Sequence, residues 1–327
     1  MDFIKKIKIL SVLIVALTAL YISGLVFSSS NVNKRKSDEK IFDNNLIEKI
    51  EMVEIDSEDG LLNFTKEGEK WVIQIDNKSY PASSEKIKNL IDSVSDITKY
   101  QVSGTDPKSW VKFDLEEEKA KKAVFLDSSK NPLFTLYIGK EGPVKGDGEY
   151  IRSSLSDEVY LLDATINRYF IRDINYWSDL RVFPAGFDAD SITSVKIKSD
   201  IKIDDELYKM DLYFKKEVKD KGTPFIWINN ADNEETDRNK TDLMINNIIT
   251  INGDSFSESD ITAKNCEIEI ESDVLGRIIF DIQKIDEESV IYGIRGNPLR
   301  YKASIYKINR LLKSVNDIFA EPEPVNS

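Results

Sequence analysis

Residues 52–58 read MVEIDSE and residues 194–200 read SVKIKSD, so one pattern occurs twice in this chain. In both segments apolar and polar side chains alternate, which is typical of a strand with one buried face. A second pair, INRYF at 166–170 and INRLL at 308–312, has the same separation of 142 residues. The common separation favours duplication of a whole module. The alternative is a chance likeness between two α+β modules of similar size.

Short alternating segments continue on the C-terminal side of residues 52–58. Residues 62–64 and 71–75 predict two further strands, with turns at 59–60 and 67–68. The connections between these predicted strands are short enough for β-hairpins. The start of each half is therefore predicted to be an antiparallel meander.

The apolar spacing changes to i, i+3, i+4 and i+7 over residues 87–97, which predicts a helix with Ser83 as its N-cap. The rest of the first half is predicted to hold strands at 123–127, 132–139, 149–153 and 158–162, and a short helical stretch at 166–171. The second half is predicted to hold strands at 193–198, 207–215, 224–229, 266–271, 276–284, 288–294 and 299–303, and helices at 236–250 and 304–318. Because strands outnumber helices and most connections are short, the predicted fold class is α+β, with antiparallel sheets and packed helices.

An uncharged stretch begins at Ile9 and ends at Phe27. Its nineteen residues would form a helix of roughly 28 Å, which matches a hydrocarbon core of ~30 Å. We therefore predict a transmembrane helix at 9–27, and attachment to the membrane through it. The alternative is a signal peptide cleaved near Ser28 or Ser30.

The whole chain is predicted to divide into six parts. These are a cytoplasmic tail at 1–8, the transmembrane helix at 9–27, a stalk at 28–48, a first α+β module at 49–182, a second at 183–320 and a tail at 321–327. A short tail before a first span usually stays in the cytoplasm. The expected location is the cytoplasmic membrane, single-pass, with the bulk of the chain on the periplasmic or cell-surface side.

The composition excludes several classes of chemistry. The net charge is −13, and the excess of acidic residues would repel phosphate backbones, which argues against nucleic-acid binding. There is no histidine and only one cysteine, Cys266, so Ser-His-Asp catalysis, histidine-based zinc sites and internal disulfides are excluded. Cys266 lies in an alternating apolar segment and is predicted to be a small buried side chain. No enzyme activity, catalytic residue, metal or cofactor is predicted.

Several other segments could carry a site, and each also has a structural explanation. Residues 230–235 are rich in oxygen ligands, but Glu235 replaces the glycine of a calcium loop, which favours a solvated loop before a helix. The glycine cluster at 139–148 lacks the phosphate-loop lysine pattern and suits a hairpin connection. The acidic runs at 116–118 and 204–206 favour solvated surfaces over a glycosidase pair. Among the tryptophans, core packing is predicted for Trp71 and Trp227, whereas Trp110 and Trp177 lie near connections.

A succession of motifs resembles an uncharacterised bacterial family, catalogued as a domain of unknown function. They are KWVI at 70–73, NPLFTLYIG at 131–139, GEYIR at 148–152, DEVYLL at 157–162 and RDINYWSDLR at 172–181. The resemblance covers nearly the whole chain, and it implies membrane-anchored proteins encoded beside gliding-motility-type ABC transporter genes. Residues 112–116 depart from the family pattern because they lack its glycine and proline. The resemblance implies no catalytic residue.

The expected function is that of a non-enzymatic, membrane-anchored extracytoplasmic accessory or scaffold protein. Its expected partners are subunits of an ABC-type transporter or a gliding-type envelope complex. An alternative is an extracytoplasmic module that binds a glycan or a peptide. A more remote alternative is a hydrolase that uses two carboxylates.

Overall fold

The computed structural model describes residues 39–319 apart from 58–59, 76–77, 100, 145–147, 163–164 and 218–224, together with Ile14, Leu17, Thr18 and Tyr21. The chain forms two compact units, Met1–Trp177 and Ser178–Ser327. Each unit contains one nine-stranded antiparallel sheet.

The first sheet is built from nine strands in chain order. They are β1 (Met52–Ser57), β2 (Gly60–Glu67), β3 (Lys70–Ile75), β4 (Lys78–Pro81), β5 (Gln101–Gly104), β6 (Lys121–Leu126), β7 (Pro132–Glu141), β8 (Glu149–Ser153) and β9 (Val159–Leu161). Their order across the sheet is β4-β3-β2-β1-β6-β7-β8-β9-β5. Between residues 39 and 177, the described helices are α1 (Asn44–Ile47), α2 (Ser84–Ser95) and α3 (Ile174–Trp177).

The second sheet repeats this arrangement. Its strands are β10 (Ile192–Ile203), β11 (Glu206–Glu217), β12 (Ile226–Asn229), β13 (Glu234–Glu235), β14 (Ser255–Phe256), β15 (Cys266–Ser272), β16 (Gly276–Lys284), β17 (Ser289–Ile294) and β18 (Tyr301–Ser304). Their order is β13-β12-β11-β10-β15-β16-β17-β18-β14, the order of the first sheet when β10 is matched to β1. The helices are α4 (Arg238–Ile249) and α5 (Ile305–Asp317). The predicted tandem repeat of sheet modules is confirmed.

The long helix begins in the same way in both units. The Ser83 side chain accepts a hydrogen bond from the backbone of α2, and Asp237 does the same for α4, so each fills the N-cap role. In each unit the backbone N–H before the cap donates to the carbonyl of a strand tryptophan, Trp71 or Trp227, at 2.9 Å. In both units this hydrogen bond therefore links the start of the long helix to the equivalent strand, β3 or β12.

The strand registers correct one detail of the sequence comparison. Val53 lies opposite Phe125, and Val195, 142 residues later, lies opposite Ile270. Phe125 and Ile270 are therefore equivalent and are 145 residues apart. The separation of equivalent residues is therefore not constant at 142, because the connections before β6 and β15 differ in length.

The predicted α+β class is also corrected, because the chain is mostly antiparallel β structure. Short edge strands form in segments that the sequence analysis assigned to connections, such as β5 and β14. The helical stretch expected at 166–171 contains only one 3-10 turn, Asn167–Tyr169. Among the described residues, only α2, α4 and α5 have three turns or more.

The expected N-terminal transmembrane helix is not found. In the described part of the chain, no helix is long and apolar enough to cross a bilayer. Only four residues of segment 9–27 are described, far fewer than the ~20 that a span needs. The rest of that segment, the tail at 1–8 and most of the stalk lie outside the described residues. The described end of the stalk packs on the first unit, where Phe42 is 1% exposed and stacks on Phe134.

Each sheet has an inner face, which packs against the long helices, and an outer face opposite to it. In the first unit, α2 buries Ile87, Leu90 and Val94 against the inner face. In the second unit, α4 and α5 together cover the inner face of β10 and its neighbours. Because side chains alternate between faces along a strand, the outer faces carry a different set of residues.

Candidate functional site

The outer face of the second sheet contains an open pocket of about 340 Å³, which we call the outer pocket. Side chains from β16, β17 and the segments before β15 and β18 line it. They are Asp260, Ile261, Thr262, Lys264, Asp281, Ile294, Arg295 and Arg300, with Gly293 below them. The pocket is therefore mostly polar and carries both signs of charge.

Arg295 is the central cation of the outer pocket. Its Nε and Nη2 atoms donate to the two carboxylate oxygens of Asp281 at 2.9 and 2.6 Å, a bidentate pair. Nη2 also donates to Glu267 at 2.5 Å. The hydrogen bonds that Arg295 donates to the two carboxylates raise its pKa above its usual range, and the hydrogen bonds that Glu267 accepts from Lys264 and Arg295 lower the pKa of Glu267. Arg295 and Glu267 therefore both stay charged at neutral pH.

Arg300 forms the other charged side of the pocket. Its Nε donates to Asp260 at 2.7 Å, and Nη1 donates to the carbonyls of Asn297 and Leu299. The hydrogen bond from Arg300 lowers the pKa of Asp260. Gly293 makes this packing possible, because a Cβ atom there would lie 2.8 Å from the Leu299 carbonyl oxygen.

These contacts determine what chemistry the outer pocket supports. A general acid must hold a proton near neutral pH, which requires a raised carboxyl pKa. The carboxylates of Asp260 and Glu267 have the opposite shift, because arginine and lysine donors stabilise their charged forms. The arrangement suits recognition through charge and hydrogen bonds better than proton transfer.

The equivalent face of the first sheet is covered by the chain itself. The connection from β5 to β6 forms a 3-10 helix, Pro107–Phe113, and buries a small apolar cluster on that face. Arg152 is 4% exposed, and its guanidinium carbon lies 3.9 Å from the Trp110 ring centre and 3.5 Å from that of Tyr137. Its Nε donates to the Leu115 carbonyl at 2.8 Å. Burial lowers the pKa of Arg152.

One position shows why the two faces differ. Following the registers, Gly139 on β7 corresponds to Gln283 on β16. A Cβ atom at Gly139 would lie 2.0 Å from the Phe113 carbonyl oxygen, so the covering segment requires glycine there. Gln283 instead accepts hydrogen bonds from the backbone N–H groups of Thr262 and Ala263, at 2.7 and 3.0 Å. The shorter connection of the second unit leaves the outer pocket open.

The structure places the acidic runs and loops that the sequence analysis considered. Asp204 and Asp205 form the exposed turn between β10 and β11, and Glu206 accepts a hydrogen bond from Tyr208. Glu116 forms an ion pair with Lys119. Residues 230–233 connect β12 to β13, and β13 occupies Glu234–Glu235 shortly before α4. In the segment 139–148, β7 continues to Glu141, and the described residues after it belong to the connection to β8. Each predicted loop is therefore a connection over only part of its length.

The four tryptophans do not form a common surface. Trp71 and Trp227 are buried at equivalent positions, as predicted, and Trp177 is fully buried. Trp110 stacks on Arg152, and its Nε1 donates to the Asp157 carbonyl at 3.1 Å. Among the described residues, no group of three or more cysteine or acidic side chains could hold a metal ion.

Cys266 is 1% exposed, as predicted, and burial raises its pKa from 9.0 to about 12. We expect the native thiol to react with Ellman's reagent at pH 8 at least ~100-fold more slowly than the denatured thiol.

The folded state also keeps a proton on the Cys266 thiol between pH 9 and about 12, whereas the unfolded state releases it. This contribution to stability is present below pH 9 and is lost as the pH rises to about 12. Cys266→Ser provides the blank, and fast labelling of the native protein would contradict burial.

The residues of the outer pocket are not among those that the sequence singles out as candidates. Asp281 lies on β16, whereas Arg295 and Arg300 lie in the connection from β17 to β18, and no motif in the sequence links Asp281 to them. One signal was available, since the connection before β15 is shorter than the connection before β6. When one of two repeats has a shorter connection, the sheet face that the longer connection covers in the other repeat is expected to be open.

Comparison with known proteins gives one match. A family model described as "Domain of unknown function (DUF4340)" matches residues 71–246, more than half of the chain. No curated protein and no solved structure matches this chain. All the residues that line the outer pocket lie on the C-terminal side of the matched residues.

Proposed function

Since this chain belongs to the DUF4340 family, which is defined without a known activity, we propose that it is a non-enzymatic accessory or scaffold protein. We further propose that it works on the extracytoplasmic side of the cytoplasmic membrane with an ABC-type transporter or a gliding-type envelope complex. The outer pocket is the surface that contacts the partner protein.

One observation carries this proposal. Two units with the same strand order differ on the outer face, which is covered by residues 107–113 in the first unit and open in the second. The open face exposes ion pairs whose charges remain fixed at neutral pH. A fixed arrangement of positive and negative side chains favours a partner protein whose surface charges are complementary to it.

The pocket lining supports a protein partner over the alternatives. A glycan site usually offers an aromatic ring for stacking, and the lining of the outer pocket contains no aromatic side chain. A carboxylate hydrolase needs one acid with a raised pKa. The pKa of Asp260 is lowered instead.

The location and the partner class have separate support. The uncharged run at 9–27 directs a chain into the export route, whether or not it is later removed. The gene neighbourhood implied by the family resemblance supports the ABC-type transporter.

The test compares two exposed charge reversals. Asp260→Lys changes the outer pocket, whereas Asp205→Lys makes the same change of charge at the β10–β11 turn. Both aspartate side chains are exposed, and their ion pairs contribute about 0–1 kcal/mol. Asp260→Lys also removes a hydrogen bond from the Ile261 N–H, and both variants should still fold. Each is purified from native membranes with its associated proteins, which are quantified by mass spectrometry.

We expect transporter or envelope-complex subunits to accompany the wild type and Asp205→Lys. Recovery with Asp260→Lys should fall by about 10-fold or more, because reversing a charge at the centre of an interface places like charges together. Equal recovery with both variants would rule out the outer pocket as the contact. Absence of such subunits from the wild-type sample would refute the partner class.

A further inference from the structure

Strand β11 has an unpaired edge in the part of the chain that the structure describes. β10 pairs with most of β11, from Glu206 to Lys215. On the other side, β12 pairs with β11 only from Phe214 to Glu217. On the side of β11 away from β10, the backbone groups of residues 206–212 therefore pair with no other described strand.

The direction of these backbone groups follows from one hydrogen bond. The Tyr213 carbonyl accepts from the Asn230 N–H at 2.8 Å, so it points away from β10. Backbone groups alternate in direction along a strand, so the N–H and C=O groups of Lys209 and Asp211 point the same way. Together with Leu207, these two residues provide the donors and acceptors of the free edge.

The side chains of Lys209 and Asp211 lie on the outer face and are exposed. On β10, Lys198 lies opposite Asp211, with 3.6 Å between Nζ and Oδ2, and Asp200 lies opposite Lys209. Positive and negative charges therefore alternate both along β11 and across the two strands. If a second copy is placed beside this edge by a two-fold rotation, its positive side chains therefore lie opposite the negative side chains of the first copy, and its negative side chains opposite the positive ones.

We propose that two copies of this chain associate through this edge of β11, as an antiparallel pair centred on Met210. In that register Lys209 lies opposite the partner's Asp211, and Asp211 lies opposite the partner's Lys209. Four backbone hydrogen bonds form, and the alternation of charge continues across all four strands. This association is independent of the partner proposed for the outer pocket.

Electrostatics selects this register over its neighbours. Moving the centre of the pair to Lys209 places two lysines opposite each other, and moving it to Asp211 places two aspartates opposite each other. Like charges directly opposite on neighbouring strands are destabilising. Charged residues on an edge strand usually keep other strands away, but here the alternating signs leave one attractive arrangement.

The described strands of the first unit offer no equivalent edge. There β3 pairs with β2 from Asn63 to Glu67, which leaves only Gly60–Leu62 unpaired. The hairpin of β10 and β11 is longer, with 12 residues in each strand against 6 and 8 in β1 and β2. The extra length creates the free edge.

Mixing two charge variants tests the pairing. Lys209→Asp gives an edge with two aspartates, and Asp211→Lys gives an edge with two lysines. We expect the wild-type full chain to dimerise with a dissociation constant on the order of 10–100 µM, because the interface is small. Each variant alone should bind itself at least ~10-fold more weakly, and an equimolar mixture should recover the wild-type affinity within about 3-fold. Sedimentation velocity in mild detergent measures all four samples.

A cysteine at the centre gives a second measurement. Met210→Cys should form an intermolecular disulfide under mild oxidation, because opposite positions in a non-hydrogen-bonded pair have Cβ atoms roughly 4.5–5.5 Å apart. Lys196→Cys is the control, since this exposed position lies on β10 between two paired strands. The native Cys266 is buried and should not contribute.

Three results would overturn the proposal. The wild type could remain monomeric at several hundred micromolar, both charge variants could dimerise like the wild type, or the mixture could fail to recover. A dimer that appears only after removal of residues 320–327 would show that the chain's own tail occupies the edge. That outcome would also refute association of the intact chain.

Discussion

Replacing Gly139 with valine should destabilise the first unit by about 3 kcal/mol, because the new side chain has no room. A Cβ atom at this position lies 2.0 Å from the Phe113 carbonyl oxygen, well inside normal contact distance. The covering segment would have to move away from the sheet. That movement would break the hydrogen bond from Arg152 to the Leu115 carbonyl and open the stack of Arg152 with Trp110.

Thr135→Val is the matched control for Gly139→Val, because Thr135 lies on the same strand and the same face and is half-buried. It should change the free energy of unfolding by less than ~1 kcal/mol. Urea denaturation followed by tryptophan fluorescence measures both variants. If Gly139→Val were as stable as Thr135→Val, the covering segment would not be held where the structure places it.

Replacing Trp177 with alanine should have the largest effect, a loss of ~4 kcal/mol of stability. Trp177 is fully buried, and its ring centre lies 5.2 Å from that of Phe64 and 5.1 Å from that of Tyr176. Removing the indole leaves a cavity in the core of the first unit. Hydrogen exchange followed by mass spectrometry should show faster exchange in α2 and β1–β3.

Tyr306→Ala is the control for this variant, because Tyr306 is an aromatic residue that is 68% exposed on α5. It should change stability by less than ~0.5 kcal/mol. Comparable losses in the two variants would mean that Trp177 does not support the core. Unchanged exchange in β1–β3 would lead to the same conclusion.

The repeat could be predicted from the sequence because both halves keep strong local patterns. The alternation at 52–58 and 194–200 became β1 and β10, and the helical spacing at 87–97 became α2 with Ser83 as its cap. Such patterns depend only on which neighbouring side chains are buried. The strand order could not be read in this way, since pairing of β5 with β9 depends on residues far apart in the chain.

The short edge strands and the outer pocket were missed for a related reason. β13 and β14 have two residues each, too few for any alternation to be visible. Asp281 and Arg295 meet only because β16 and β17 are neighbours in one register. The fold class was wrong because these short strands were counted as connections and the stretch at 166–171 as a helix.

The shared strand order has a consequence for how the chain folds. In each unit the first strand pairs with the sixth, so part of the sheet forms only when residues far apart in the sequence come together. Such long-range contacts make folding slow. Two tandem copies of one topology also risk exchange, in which a strand of one unit pairs within the other while both are incomplete. The unequal hairpins of β1–β2 and β10–β11 work against such exchange, since a six-residue strand cannot satisfy a twelve-residue partner. Divergence between the repeats thus protects the folding pathway of the chain.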